Sequence, residues 1–187
     1  MAHRICPWWL GYLLASPLRR WLQDPAAIIK PYVQEGMTVL EPGPGMGFFT
    51  LELARQVGPR GRIIAVDVQP RMLAGLKRRL AKAGLAERVD ARLAKEDSMG
   101  LQDLTGAVDF TFAMAVVHEM PSAGRLFAEA AAAMKTGGTL LLAEPAGHVK
   151  DDLFAAELQA AADAGFTVVA RPTVRRSLAA LLRKAPA

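Results

Sequence analysis

The chain has 187 residues, 52% hydrophobic and 22% charged, which suits one packed domain and excludes a disordered or low-complexity chain. Its single cysteine, Cys6, excludes an internal disulfide and a Cys-x-x-Cys pair for zinc or redox work. The formal net charge of +5 attracts anions in general, nucleic acid and membrane surfaces included, without selecting among them.

The first 34 residues hold Trp8, Trp9, Tyr12, Trp21, Ile28, Ile29, Tyr32 and Val33. The apolar run after Arg4 is too short to span a bilayer, which takes about 20 residues. Its tryptophans and Pro7 also suit a secretory signal core poorly. We read residues 1–34 as a helical lid packed on a domain of residues 35–187, in a cytoplasmic protein. Export and a membrane-surface role are the weaker alternatives.

From Met37 onward short β-rich runs alternate with helical ones. The expected strands are Met37–Glu41, Arg62–Asp67, Val89–Ala94, Ala107–Met114, Thr139–Ala143 and Phe166–Pro172. Ser177–Arg183 reads as a last strand, or equally as a helix. Helices are expected at Phe48–Val57, from Pro70 to a stop at Gly84, from about Ser122 to Met134 with a stop at Gly137-Gly138, and over Asp151–Ala164. This alternation implies right-handed crossovers and a buried parallel sheet. The helix after Pro70 carries Arg71, Lys77, Arg78, Arg79 and Lys82, read as a solvated face.

In an open α/β sheet, ligands sit at the carboxyl ends of the strands. The first strand ends in Glu41-Pro42-Gly43-Pro44-Gly45-Met46-Gly47. Three alternating glycines let the backbone turn tightly and approach a ligand without side-chain clashes. A dinucleotide site would need a third glycine where Phe48 stands, and Glu41 would oppose a pyrophosphate. The phosphate-loop lysine is missing too. An acid at that position suits a ligand with a cationic group.

Glu41-x-Gly43-x-Gly45-x-Gly47 resembles the first motif of the class I S-adenosylmethionine-dependent methyltransferases. Asp67 matches the acid that ends the family's second strand, and Asp97 resembles the acid after the third, with Lys95 or Glu96 as alternatives at that point. Val117-His118-Glu119 resembles the segment after the fourth strand. Met134-Lys135-Thr136-Gly137-Gly138 is similar to the turn before the fifth. The resemblance spans about Met37 to Arg183. It implies a Rossmann-like doubly wound α/β sheet of seven strands, mostly parallel with an antiparallel last strand, and helices on both faces. It also implies S-adenosylmethionine as cofactor. Glu41, Gly43, Gly45 and Gly47 would hold its methionine part, Asp67 its ribose, Val68 and Met72 the adenine faces and Asp97 the adenine amino group, with Met114 alongside.

The acceptor is open at this level. The Asn/Asp-Pro-Pro-Tyr/Phe motif of amino-directed enzymes is replaced by Ala113-Met114-Ala115-Val116, and a small-molecule acceptor is expected rather than nucleic acid. His118, Glu144 and His148 follow the fourth and fifth strands. They are the candidate catalytic group, a histidine serving as general base; no metal is expected. The alternatives are an RNA methyltransferase and a non-catalytic S-adenosylmethionine-binding module.

Overall fold

A computed structural model describes residues 23–95 and 97–186. The expectations placed on residues 1–22, on Glu96 and on Ala187 lie outside the described residues. The described chain divides into two compact units, one up to Ala94 and one from Lys95. Its seven strands follow the order β3-β2-β1-β4-β5-β7-β6.

In the first unit, α1 (Pro25–Ile29) opens at Asp24, whose side chain accepts from the Ala26 N–H, with Pro25 at the position where its missing N–H costs nothing. Ile29 and Val33 are buried. Strand β1 (Thr38–Pro42) pairs in parallel with β2 (Arg62–Asp67), and β2 with β3 (Val89–Leu93). Helix α2 (Thr50–Gln56) is shorter than the apolar spacing suggested, because residues 43–49 turn as a loop instead. Helix α3 (Pro70–Ala83) runs as expected and ends on Gly84 at φ 67°, a left-handed cap that favours glycine. It buries Met72, Leu73, Leu76 and Leu80, each stabilising the unit by about 1.5–3 kcal/mol.

In the second unit, β4 (Val108–Met114) pairs in parallel with β5 (Met134–Pro145). Strand β7 (Ser177–Lys184) runs antiparallel to both β5 and β6 (Phe166–Ala170). The ambiguous last segment is thus a strand, fixed by seven successive partners on β5 from Thr139↔Arg183 to Pro145↔Ser177. Helix α4 (Ala123–Ala133) is capped by the Ser122 hydroxyl, and α5 (Asp151–Asp163) precedes β6.

One boundary differs in kind. The glycine pair does not stop α4. Met134 already pairs with Val108, and the next partners are Phe110 and Thr139, so residues 135–138 bulge within β5. Gly137 takes φ 76° there. A Cβ on Gly138 would lie 3.1 Å from the Asp109 carbonyl. The glycines let the bulge hug β4.

Candidate active site

The glycine loop is built by the first unit alone. Gly43, Gly45 and Gly47 have φ 66°, 54° and 83°, all left-handed. The Gly43 N–H donates to the Val66 carbonyl at 2.9 Å, and the Gly47 N–H to Pro44 at 2.9 Å. Asp67, buried at the end of β2, braces the loop. Its carboxylate accepts from the Gly45 N–H at 3.2 Å and from the Gln69 N–H at 2.8 Å. The loop is also held from α3, where Arg79 Nη1 donates to the Met46 carbonyl at 2.6 Å. Gly75 of α3 leaves room for Met46, since a Cβ there would lie 2.9 Å from Met46 Cγ.

The three glycines differ in their surroundings. A Cβ on Gly47 would lie 2.5 Å from Leu76 Cδ1, so that glycine serves packing. A Cβ on Gly45 would meet nothing within 4 Å, so that glycine borders open space. Glu41, at the end of β1, is 3% exposed, and its Oε2 has no hydrogen-bond partner. Burial pushes its pKa up to about 8, and the Asp67 charge adds to the effect. A buried carboxyl with an orphan oxygen costs free energy unless a donor arrives. An ammonium group fits both the orphan oxygen and the suppressed charge, as the methionine end of S-adenosylmethionine would.

Val68 is half-buried beyond β2, whereas Met72 is buried in the first turn of α3. Asp97 belongs to the second unit and is exposed. Arg125 Nη1 lies 3.6 Å from its carboxylate and donates to its carbonyl at 3.0 Å. The adjoining loop is held from α4 by Glu129, which accepts from the Met99 N–H at 2.8 Å and the Ser98 hydroxyl at 3.2 Å. Met114 is buried at the end of β4.

The second unit brings the three candidate catalytic residues together. Ala115 takes φ 55°, uncommon for a residue with a Cβ, and turns the chain sharply after β4. The next two N–H groups, of Val116 and Val117, point at Glu144 Oε1 at 3.3 and 2.8 Å. Glu144 is fully buried on β5, and its Oε2 pairs with His118 Nδ1. Since that carboxylate already accepts from two N–H groups, Nδ1 carries the hydrogen and Nε2 is the free end of the ring. His118 Nε2 lies 3.9 Å from Glu119 Oε1. The exposed His148 ring meets the His118 ring edge to face, with centroids 5.1 Å apart. Burial opposes a charge on His118, but the Glu144 hydrogen bond and the charges of Glu144, Glu119 and Glu157 outweigh it and raise its pKa. Among the described residues no group of histidines, cysteines or carboxylates is arranged to hold a metal ion.

Two residues escaped the reading of the sequence. Arg79 was placed on a solvated face, yet it ties down the glycine loop. Glu157 sits on the buried stripe Phe154, Glu157, Ala161 of α5. An acid at a core position of a helix was the available signal.

A family model described as "Methyltransferase domain" matches residues 33–175. The chain belongs to the methyltransferase-domain family. Over 109 residues it is 31% identical to the arsenite methyltransferase of Halobacterium salinarum, covering 58% of this chain and 27% of that protein. Over 122 residues it is 30% identical to the ubiquinone/menaquinone biosynthesis C-methyltransferase of Pasteurella multocida, covering 65% and 44%. The chain thus spans less than half the length of these curated relatives. The crystal structure of a SAM-dependent methyltransferase from Aquifex aeolicus matches with a TM-score of 0.86 at 25% identity, over 97% of this chain and 100% of that one. The Rossmann-like class I methyltransferase architecture read from the motifs is therefore the fold of this chain.

Proposed function

We propose that the protein transfers a methyl group from S-adenosylmethionine to a small-molecule acceptor that carries a hydroxyl or amine. When bound, the cofactor supplies an electrophilic methyl carbon on a sulfonium. Glu41 would receive its ammonium, the open space at Gly45 its methionine chain, and Asp67 its ribose hydroxyls while still bracing the loop. A carboxylate has about four lone-pair sites, so two N–H bonds leave Asp67 with capacity for hydroxyls. The relatives' names, arsenite and quinone methyltransferases among them, support the reaction class without choosing the acceptor.

The observation that carries the acceptor side is His118, pinned by Nδ1 to a fully buried Glu144. Such a ring presents Nε2 in one orientation and gains a stabilised imidazolium once it takes a proton. A hydroxyl must lose its proton as the oxygen attacks, an ammonium must lose one before its nitrogen has a lone pair to attack with, and His118 Nε2 would take that proton. Glu144 is positioned to orient the ring rather than touch substrate. His148 would line the approach.

His118→Asn should lower methyl transfer by about 10²–10⁴-fold, the usual worth of a general base, while leaving S-adenosylhomocysteine affinity within about twofold. Both are measurable, by product formation over a panel of phenols, amines and thiols and by calorimetry. Full turnover in that variant would end the base reading. Failure of the native protein to bind S-adenosylhomocysteine would end the cofactor reading.

A further inference from the structure

Three glycines in the left-handed region make residues 43–47 a segment with many accessible backbone states. A loop that must be ordered around a ligand loses affinity to that ordering unless the fold has already done it. Helix α3 makes two contacts that order this one, both at Met46, the residue between Gly45 and Gly47.

The first contact is on the main chain. Arg79 Nη1 donates to the Met46 carbonyl at 2.6 Å, and the N–H of the same peptide group, on Gly47, donates to the Pro44 carbonyl at 2.9 Å. Both polar ends of that peptide plane are committed, so a flip would break two hydrogen bonds at once. One of them comes from a guanidinium, the stronger kind of donor. The second contact is on the side chain. Met46 is 4% exposed and fills a notch at Gly75, where a Cβ would lie 2.9 Å from its Cγ and 3.1 Å from its sulfur. Gly75 and Arg79 stand four residues apart and therefore share one face of α3. Leu76 and Leu80, both buried, anchor the helix beside them.

Two oddities of α3 follow from this contact. Glycine is unfavourable inside a helix, yet Gly75 sits at its middle. Of the helix's cations, Arg71, Lys77, Arg78 and Lys82 are exposed, whereas Arg79 is half-buried.

We propose that Gly75 and Arg79 form a clamp on Met46 that sets the glycine loop before the cofactor arrives, making Arg79 a positioning residue for S-adenosylmethionine. The inference rests on the reading of this loop as the cofactor site. Arg79 acts through the loop backbone. Strand β2 holds the loop at Gly43, through the Val66 carbonyl, and at Gly45, through Asp67. The clamp holds it one residue further on. Without the Arg79 bond the Met46–Gly47 peptide keeps only its local tie to Pro44. If the binding arrangement then falls to about a tenth of the population, apparent affinity falls about tenfold.

Amide exchange in the unliganded protein reads the clamp without any ligand. In Arg79→Met, which keeps an apolar stem and loses the donor, the Gly47 amide should exchange about tenfold faster or more. The Ile64 and Val66 amides of β2 should keep their native rates. S-adenosylhomocysteine affinity, measured by calorimetry, should fall about tenfold, and Arg79→Lys, which returns one donor, should recover part of it. Arg88→Met is the matched control. Arg88 Nη1 donates to the Ala54 carbonyl at 3.1 Å in the same unit, so its loss removes a similar bond away from the loop. Melting midpoints of the two Met variants should fall alike, while affinity falls in Arg79→Met alone. Gly75→Ala favours the helix but pushes a methyl against Met46, and it should speed Gly47 exchange as well. It carries the test, with Arg79→Lys, if Arg79→Met does not fold. Native Gly47 exchange in these variants would overturn the clamp. Faster exchange with unchanged affinity, or equal loss of affinity in Arg88→Met, would overturn its role in binding. A native chain that takes up no S-adenosylhomocysteine sinks the cofactor reading instead, and the exchange rates then decide the clamp by themselves.

Discussion

Three buried glutamates show how differently the same side chain is used. Glu144 is fully buried and hydrogen-bonded at both oxygens, so its charge is supported in place. Glu41 and Glu157 are buried with orphan oxygens, and both are pushed toward neutrality. An orphan acid in a core destabilises the protein unless a donor reaches it. Glu41 has a folded pKa of about 8, above the ordinary 4.5. At pH below 4.5 the acid is protonated whether folded or not, and nothing is lost. As pH rises toward 8 the unfolded chain ionises freely while the folded one resists, so stability falls across that window. Glu41→Gln should therefore gain stability over the native chain as pH rises from about 5 to 8, read by chemical denaturation at each pH. A bound ammonium forces Glu41 to ionise, so cofactor uptake should release up to one proton below pH 8. Calorimetry of S-adenosylhomocysteine in buffers of different ionisation enthalpy reads that proton directly. A buffer-independent enthalpy at pH 7 would show that Glu41 is already charged.

The elements were legible where periodicity and end signals agreed. Pro70 and Gly84 bracket α3 in sequence and in space, and Arg62–Asp67 is β2 as read. They were less legible where tertiary pairing decides. Ser177–Lys184 looks like strand or helix until β5 and β6 claim it from both sides. The glycine pair at 137–138 looks like a helix stop, but β4 recruits Met134 first. The glycine loop was legible as a motif but not as a division of labour. Gly47 faces Leu76 and Leu51, whereas Gly45 faces open space. Gly47→Ala should thus lower stability by about 1–3 kcal/mol through overpacking, added to its left-handed φ, with thermal melting as the measure. Gly45→Ala should cost only about 1–2 kcal/mol for the left-handed backbone yet weaken S-adenosylhomocysteine binding about tenfold or more. If Gly45→Ala binds as tightly as the native chain, the open space beside it is not where the cofactor lies. The His118–Glu144 contact was legible only as two residues after neighbouring strands. Nothing in the sequence disclosed that Ala115 would turn two N–H groups onto the same carboxylate.

For the whole chain, the excess of positive charge bears on the acceptor. A net charge of +5 would favour RNA if the cations stood free on one face. Many are instead engaged locally. Arg55 pairs with Glu52 at 3.1 Å, Arg60 with Glu35 at 3.3 Å, and Arg62 and Arg92 both with Asp90 at 2.6 and 2.9 Å. Arg125 pairs with Asp97, Lys135 with Asp109, and Arg79 is spent on the Met46 carbonyl. Exposed pairs of this kind stabilise the fold little, but a cation beside a carboxylate displaces few counterions from a phosphate backbone. A single-stranded RNA that neutralises Z cations shows a log–log salt slope of about −0.7Z. Among the described residues, with Lys77 and Lys82 on the exposed side of α3 as the cluster, Z should be about two and the slope about −1.4. Affinity for unstructured RNA should then stay in the non-specific range of about 10⁻⁴–10⁻⁶ M at physiological salt. Fluorescence anisotropy of a labelled oligonucleotide between low and physiological salt measures both quantities. A slope of about −5 or steeper, with sub-micromolar affinity, would transfer the acceptor from a small molecule to RNA. The His118 base would then have to serve a nucleotide hydroxyl or ring nitrogen, with α3 as the surface that docks the strand.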